Sequence, residues 1–503
     1  MGIKKYYASK DNTITNAFKA NLSDRGTAAN MGAADILEAF VIHGQTSASV
    51  TDAPSAQNAL NAEQTRFLIQ FPVVDIAADM SDGTLPNATG SLKFYLNMYN
   101  APHGSTLPLS FSLGAHLISR EWDEGRGLDM DNYTNIGQSS WVSASTTTSW
   151  TTPGGDVLTG PNTSGTINFP TGLENIELDI SEFVYSWLDS TDNYGLLLRF
   201  PDSAVSGSDT LYTKKFFSRT SEFFHYRPTL EARWDSTRKD DRGSFYISSS
   251  AASGADNLNT LYLYNRIRGT LKNIPTLKDN KISVSVYSGS DGTPSGAPLT
   301  LVSEAGISST VVTGGLLVEN GANITGIYTA SYASPSTLTE VYDVWHTGSG
   351  ASLVNFRTGS YQPLSWDTAT TVDETSYITT ITNLKSEYPK GEKPSLRVFV
   401  RNKNWSPNIY TVATAETKPL VIDQAYYRIY RVVDDLNVIP YGTGSSNNNY
   451  SQLSYDGDGN YFSLDTSCLE AGYSYGIKFA FYQEGSYVEQ PSVFKFRIED
   501  DTQ

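Results

Sequence analysis

Glu121, Asp123, Glu124, Asp129, Asp131 and Asn132 crowd one short, glycine-containing stretch of this 503-residue sequence. Calcium takes roughly six to eight hard oxygen ligands, and such a loop offers them. Asp123, Glu124, Asp129 and Asp131 are therefore the candidate metal ligands, with calcium as the ion. The spacing is not that of a calcium-binding helix–loop–helix. The competing reading is a solvated loop whose aspartates cap turns. A second run, Asp456, Asp458 and Asn460, opens like an EF-hand loop, but Ser467 stands where the closing Glu belongs. A hairpin turn is the simpler expectation there.

Asp123 and Glu124 also raise the paired carboxylates of glycoside cleavage. That chemistry needs two carboxylates across one cleft, roughly 5–9.5 Å apart, whereas neighbours in an extended chain face opposite sides. The histidines, His43, His103, His116, His225 and His346, fall into no His-x-x-x-His or His-Glu-x-x-His spacing. No phosphate loop is found. Cys468 stands alone, so it makes no internal disulfide, and its turn-like context reads as buried apolar packing. Trp141, Trp150, Trp345, Trp366 and Trp405 could stack on sugars, although most Trp are core residues. These patterns name no catalytic residue and no cofactor beyond calcium, so the chain reads as non-enzymatic.

The elements that carry these residues are strands. Charged residues make up only 18% of the chain, below the roughly 25% usual for a soluble domain. Thr, Ser, Gly, Asn and Tyr fill the gap, and these suit pleated surfaces and turns. Strands are expected at Arg66 to Phe71, Ser91 to Tyr99, Gly195 to Phe200, Lys281 to Tyr287, Ser395 to Arg401, Gln424 to Arg431 and Ser474 to Tyr482. Turn chemistry separates them, as in Ser81-Asp82-Gly83, Pro153-Gly154-Gly155, Asp291-Gly292-Thr293-Pro294 and Tyr455-Asp456-Gly457-Asp458-Gly459. Two short helices are expected, a polar one over Gln57 to Glu63 and an amphipathic one over Ile180 to Leu188 with Asp179 or Ser181 as its N-cap.

The sum is an all-β chain of three tandem β-sandwich domains, a jelly-roll-like first domain followed by two immunoglobulin-like ones. The expected domains span 1–238, 239–367 and 368–503. The first boundary falls in the polar run Asp235 to Gly243 and the second near Trp366 to Asp373. The excess of 53 acidic over 36 basic residues, a net charge of −17, repels nucleic-acid phosphate. The start, Met1 to Tyr7, lacks the apolar core of a secretion signal, and no stretch reaches the roughly 18 apolar residues of a membrane span. No nucleic-acid or membrane partner is therefore expected, and the protein is expected to be made and kept in a cytoplasm unless lysis or a specialised system releases it.

The first segment carries a series of short motifs in order. Asp11-Asn12 leads to Asn30-Met31-Gly32, then the strand Arg66 to Phe71, then Trp122-Asp123-Glu124 with a later Trp. The helix around Phe183 and Trp187 follows, then Asn193-Tyr194-Gly195 before a strand, Phe217-Ser218-Arg219-Thr220, and Arg227-Pro228-Thr229-Leu230. This order resembles the DNRLRE family, a β-sandwich module of bacterial surface proteins. The glycines are expected at positive φ, and Arg-Pro is expected to lead into an edge strand. An insertion, Gly125 to Asn135, departs from the pattern. In the last segment, Leu469-Glu470-Ala471-Gly472-Tyr473 resembles the tyrosine corner of immunoglobulin-like modules, with Tyr473 bonding back to nearby backbone.

Stacked, acidic, Thr/Ser/Gly/Tyr-rich sandwiches are similar to tailed-phage virion proteins. The resemblance implies a structural component of the neck, collar, tail or capsid exterior, present in the virion as a multi-copy homo-oligomer or ring bound to other virion structural proteins. The alternative is a carbohydrate- or receptor-binding adhesin module on a virion or cell surface, with a host glycan as partner.

Overall fold

The computed structural model describes residues 2–500 apart from 22–23, 44–61, 88–90, 105–106, 208–209, 290–295, 320–321, 367–375, 406–417, 444–448 and 484. Leu92–Met98 and Phe111–Leu117 bury every second residue along their length, and Ile36–Ile42 does so in the opposite phase. Side chains of a strand alternate between faces, so this pattern places one face of each strand on a core. The fold is all-β, mostly antiparallel sheets forming sandwiches, with Glu387–Pro389 and Phe494–Glu499 paired in parallel. It divides into two compact units, Ile3–Arg233 and Trp234–Gln503 with Met1–Gly2.

In the first unit, Ile3–Tyr7, Thr229–Trp234, Leu92–Met98 and Ile176–Asp179 form one sheet in that order. A larger sheet runs Leu211–Phe217, Ile36–Ile42, Glu63–Gln70, Leu196–Arg199, Phe111–Leu117, Ser164–Phe169, with Lys10–Thr15 also paired to Glu63–Gln70. Thr229–Trp234 is thus an inner strand, where the sequence suggested an edge. Pro228 costs the sheet no donor because it precedes the strand, and its carbonyl accepts from Ala8 N at 3.1 Å.

The larger sheet breaks strict alternation where it matters most. Leu68 and Leu197 on one face and Phe67 and Leu198 on the other are all fully buried. The reason is a second, tryptophan-rich core: Ile14, Leu68 and Leu197 pack against Trp122, Trp141, Ala144 and Trp150. The long connection carrying those tryptophans covers the face that would otherwise meet water.

The helix Ser181–Asp189 buries Phe183, Val184 and Trp187, as its periodicity predicts. Its N-cap position is Ile180; the Asp179 carboxylate, one residue earlier, accepts from Ser181 N at 3.0 Å. A further helix, Val73–Ser81, escapes sequence reasoning because its β-branched start reads as strand. The helix expected over Gln57 to Glu63 lies mostly outside the described residues, and Glu63 itself opens a strand. The expected turn at Asp291 to Pro294 also lies outside them.

In the second unit, Asn259–Tyr264, Ala322–Tyr332, Val312–Glu319, Lys281–Tyr287, Val341–Thr347 and Val354–Tyr361 make an antiparallel sheet around Trp345, Tyr328 and Tyr332. Residues beyond 376 build two more sheets, one of Tyr377–Ile381, Ser395–Asn402, Gly459–Ser463 and Ser454–Asp456, the other led by Glu387–Pro389, Phe494–Glu499, Ser474–Gln483, Ala425–Arg431 and Leu436–Ile439. A tyrosine corner is present, but Tyr475 makes it. Its hydroxyl donates to Glu470 O and accepts from Glu470 N, both at 2.9 Å. Tyr473 is 37% exposed and lies under the Arg431 guanidinium. The sequence pattern found the corner and missed its tyrosine by two residues, one full strand period.

Candidate functional site

Trp122 sits in the tryptophan-rich core and donates its indole N–H to Tyr194 O at 2.8 Å. That anchor fixes the backbone of the two residues after it. Glu124 accepts both Nε and Nη2 of Arg219 and also the N–H of Asp11 at 2.7 Å. Asp11 is 1% exposed and accepts from Arg219 N at 2.6 Å. Burial pushes its carboxyl up to about 7, against the pull of that N–H.

Two buried amides complete the arrangement. Asn30 donates to Glu124 O at 2.6 Å and Ser139 O at 2.8 Å, and its carbonyl accepts from Gly32 N and Gly127 N. Asn12 donates to the Ser139 carbonyl and hydroxyl and accepts from Met31 N at 2.9 Å. Asn has two donors and two acceptor sites, so each amide is close to fully used. The glycine of Asn30-Met31-Gly32 is required by close approach rather than by positive φ: a Cβ there would lie 2.3 Å from Glu124 O. At Asn193-Tyr194-Gly195 the expectation of positive φ holds, with φ 84° and a Cβ that would fall 2.2 Å from Ile69 O.

The other predicted metal ligands go elsewhere. Asp129 Oδ1 accepts from the backbone of Asp131, Asn132 and Tyr133, and those donors hold its carboxyl below the usual range. Asp131 accepts from Ala20 N at 3.3 Å. Among the described residues, no group of three or more His, Cys, Asp or Glu side chains is placed to hold a metal. The oxygens of Glu124, Asp129 and Asp131 are thus divided between an arginine and backbone N–H groups. The Asp123 side chain makes no hydrogen bond or ion pair with a described residue; only its backbone is engaged, its N–H by Ala144 O and its carbonyl by Ser139 N. Asp11, Asn12, Ser139 and Arg219 belong to this cluster; three of them fall within the motifs of the first segment, but that they meet Glu124 and Asn30 is not legible from spacing, because they come together only across the fold.

The Asp456-Gly457-Asp458 run is a hairpin turn between Ser454–Asp456 and Gly459–Ser463. Asp456 is held by both terminal nitrogens of Arg397 at 2.6 and 2.7 Å, and Asn460 brackets the backbone of Ile422. Cys468 is buried. Of the candidate sugar-stacking tryptophans, Trp141, Trp150 and Trp345 are core residues, while Trp366 and Trp405 are 40% and 42% exposed.

A cleft of about 780 Å³ opens in the second unit beside that hairpin. Strand Asn259–Tyr264 alternates Leu-Tyr-Leu-Tyr: Leu261 and Leu263 enter the core, and Tyr262 and Tyr264 line the cleft. Their rings lie 6.2 Å apart and within 19° of parallel. On the same lining, Arg242 reaches Asp240 and Tyr262 O at 2.7 Å and Asp343 at 2.7 Å. Asp343 is fully buried and also accepts the Trp345 indole N–H at 2.7 Å. Burial pushes Asp240 up to about 6, with Arg242 opposing. Glu340, Arg357 and Asp458 also line the cleft and make no side-chain hydrogen bond or ion pair with any described residue. Tyr246, 38% exposed, lies on the lining with its ring 5.2 Å from that of Trp366.

No protein-family model matches this chain, and no curated protein matches it. Among solved structures, it is similar to a mutant of Salmonella alpha-2-macroglobulin at 10% sequence identity and a TM-score of 0.14, over 99% of this chain and 34% of that one. The chain thus spans about a third of that neighbour's length, and a likeness at this score carries no argument about what the protein does.

Proposed function

We propose that this protein is a non-enzymatic structural component of a tailed-phage virion, at the neck, collar, tail or capsid exterior. It acts through protein–protein contacts, as one of many copies in a ring or other homo-oligomer. The observation that carries the non-enzymatic part is the fate of the acidic loop. One of its candidate carboxylates, Glu124, is held by Arg219 and Asp11 N and closes a loop onto a sheet. Buried polar groups held this way make a firm scaffold, since each is costly to leave unpaired. The DNRLRE-like order of motifs supports the scaffold reading further, because its Asn, Gly, Trp and Glu are the residues that meet in this latch. The virion setting rests on composition and on the tandem sandwiches.

The test is mass spectrometry of particles purified from a lysate of the source culture, with copy number estimated. Co-purification at fixed stoichiometry is the expected result. Absence from particles together with presence on cell envelopes would overturn the virion setting in favour of a cell-surface adhesin.

A further inference from the structure

We infer that the cleft of the second unit is a binding site for a neutral oligosaccharide. This inference does not depend on where the protein is mounted. Its volume, about 780 Å³, falls within the range of small-molecule sites. A groove of that size has room for several linked sugar rings rather than one.

The walls choose the ligand class. A pyranose ring presents flat C–H faces and an edge of hydroxyls, so it needs aromatic surface on one side and mixed donors and acceptors around it. Tyr262 and Tyr264 supply the first need, since their stacked rings, 6.2 Å apart, line the cleft as its aromatic floor on a strand whose alternate residues Leu261 and Leu263 are anchored in the core. Arg357 and Lys418 offer donors, and Glu340 and Asp458 offer acceptors; none of the four makes a side-chain hydrogen bond or ion pair with a described residue, although the charge of Asp458 also acts on Arg397. Arg242 is already saturated by Asp240, Asp343 and Tyr262 O, so it orders the floor rather than binding ligand.

Charge sets the neutral preference. The unengaged groups around the floor carry both signs, and the whole chain carries −17. A polyanionic glycan would be repelled at long range, and at short range the cations Arg357 and Lys418 are offset by Glu340 and Asp458. A neutral chain of hexoses meets neither obstacle.

The experiment is binding of the full chain to an array of immobilised neutral oligosaccharides (α- and β-linked glucans, galactans and mannans of four to six units) printed beside sialylated and sulfated glycans. The wild type is expected to bind one or more neutral glycans, and Tyr262→Ala/Tyr264→Ala to lose at least about tenfold in affinity for them, the equivalent of about 1.4 kcal/mol. Because that double variant removes partly buried rings, Glu340→Ala/Arg357→Ala is measured in parallel; both of its side chains are exposed, so its melting curve should match the wild type while binding still weakens. Failure of the wild type to bind any neutral glycan, binding only to acidic ones, or neutral binding unchanged in the Glu340→Ala/Arg357→Ala protein would each overturn the inference.

Discussion

In the Ile3–Arg233 unit, the densest polar residues face one another. Asp11, Asn12, Asn30, Glu124, Ser139 and Arg219 exchange hydrogen bonds until little is left for a ligand. In the Trp234–Gln503 unit, the polar residues of the cleft divide into two groups. Arg242, Asp240 and Asp343 satisfy one another, while Glu340, Arg357 and Asp458 make no side-chain hydrogen bond or ion pair with a described residue and two tyrosine rings line the same cleft. A concentration of acidic residues in sequence therefore marked the closed region, and the open one was marked by tyrosines spaced two apart. What distinguishes a latch from a binding surface is whether partners inside the fold already use the hydrogen-bonding capacity.

Single substitutions separate the two units. The largest effect is expected from Gly195→Ala. Its Cβ would meet Ile69 O in a backbone conformation that L-residues avoid, so the first unit should lose at least about 3 kcal/mol. Denaturant unfolding of the purified chain measures this, and an unchanged midpoint would show that the turn at Asn193-Tyr194-Gly195 is not as tight as described. A smaller effect separates two tyrosines of the second unit. Tyr475→Phe should cost about 1–2 kcal/mol by freeing Glu470 N and O from their shared hydroxyl, while Tyr473→Phe should stay within about 0.5 kcal/mol. Equal losses would mean that the corner is not built on Tyr475.

A pH dependence gives a further test. Asp11 has its carboxyl raised from the ordinary 3.8 to about 7, so between those values the folded state holds a proton that the unfolded state has released. That contribution favours folding in acid and is lost as pH rises through about 7. Asp11→Asn should therefore lose less stability than the wild type between pH 4 and pH 7 in parallel thermal melts. Identical slopes would show that Asp11 is not buried in its protonated form.

The strands were legible in the sequence because period-2 alternation follows directly from half-buried sheets. Lys281–Tyr287 matches its expectation at both ends, and Leu92–Met98 lies one residue inside at each end. The helix Val73–Ser81 was not legible, since Val-Val after a proline favours an extended reading that tertiary packing of Val73 and Ile76 overrides. At the sites, the residue types in the acidic loop were readable but their partners were not. Arg219 lies 95 positions from Glu124, and only the fold brings them together. Tyr262 and Tyr264 were within reach, because the Leu-Tyr-Leu-Tyr alternation at 261–264 already states which side chains face outward.

The closed character of the first unit is tested most directly by thermal unfolding of the wild type and Glu124→Ala, each with calcium and with a chelator. Losing Glu124 leaves the Arg219 guanidinium and Asp11 N–H without their shared acceptor, which should cost about 2–3 kcal/mol. The account predicts that loss at the same size in both solutions and a wild-type melting temperature indifferent to calcium. A wild-type melting temperature raised several degrees by calcium, with the rise abolished in Glu124→Ala, would contradict it and return Asp123, Glu124, Asp129 and Asp131 to the role of metal ligands.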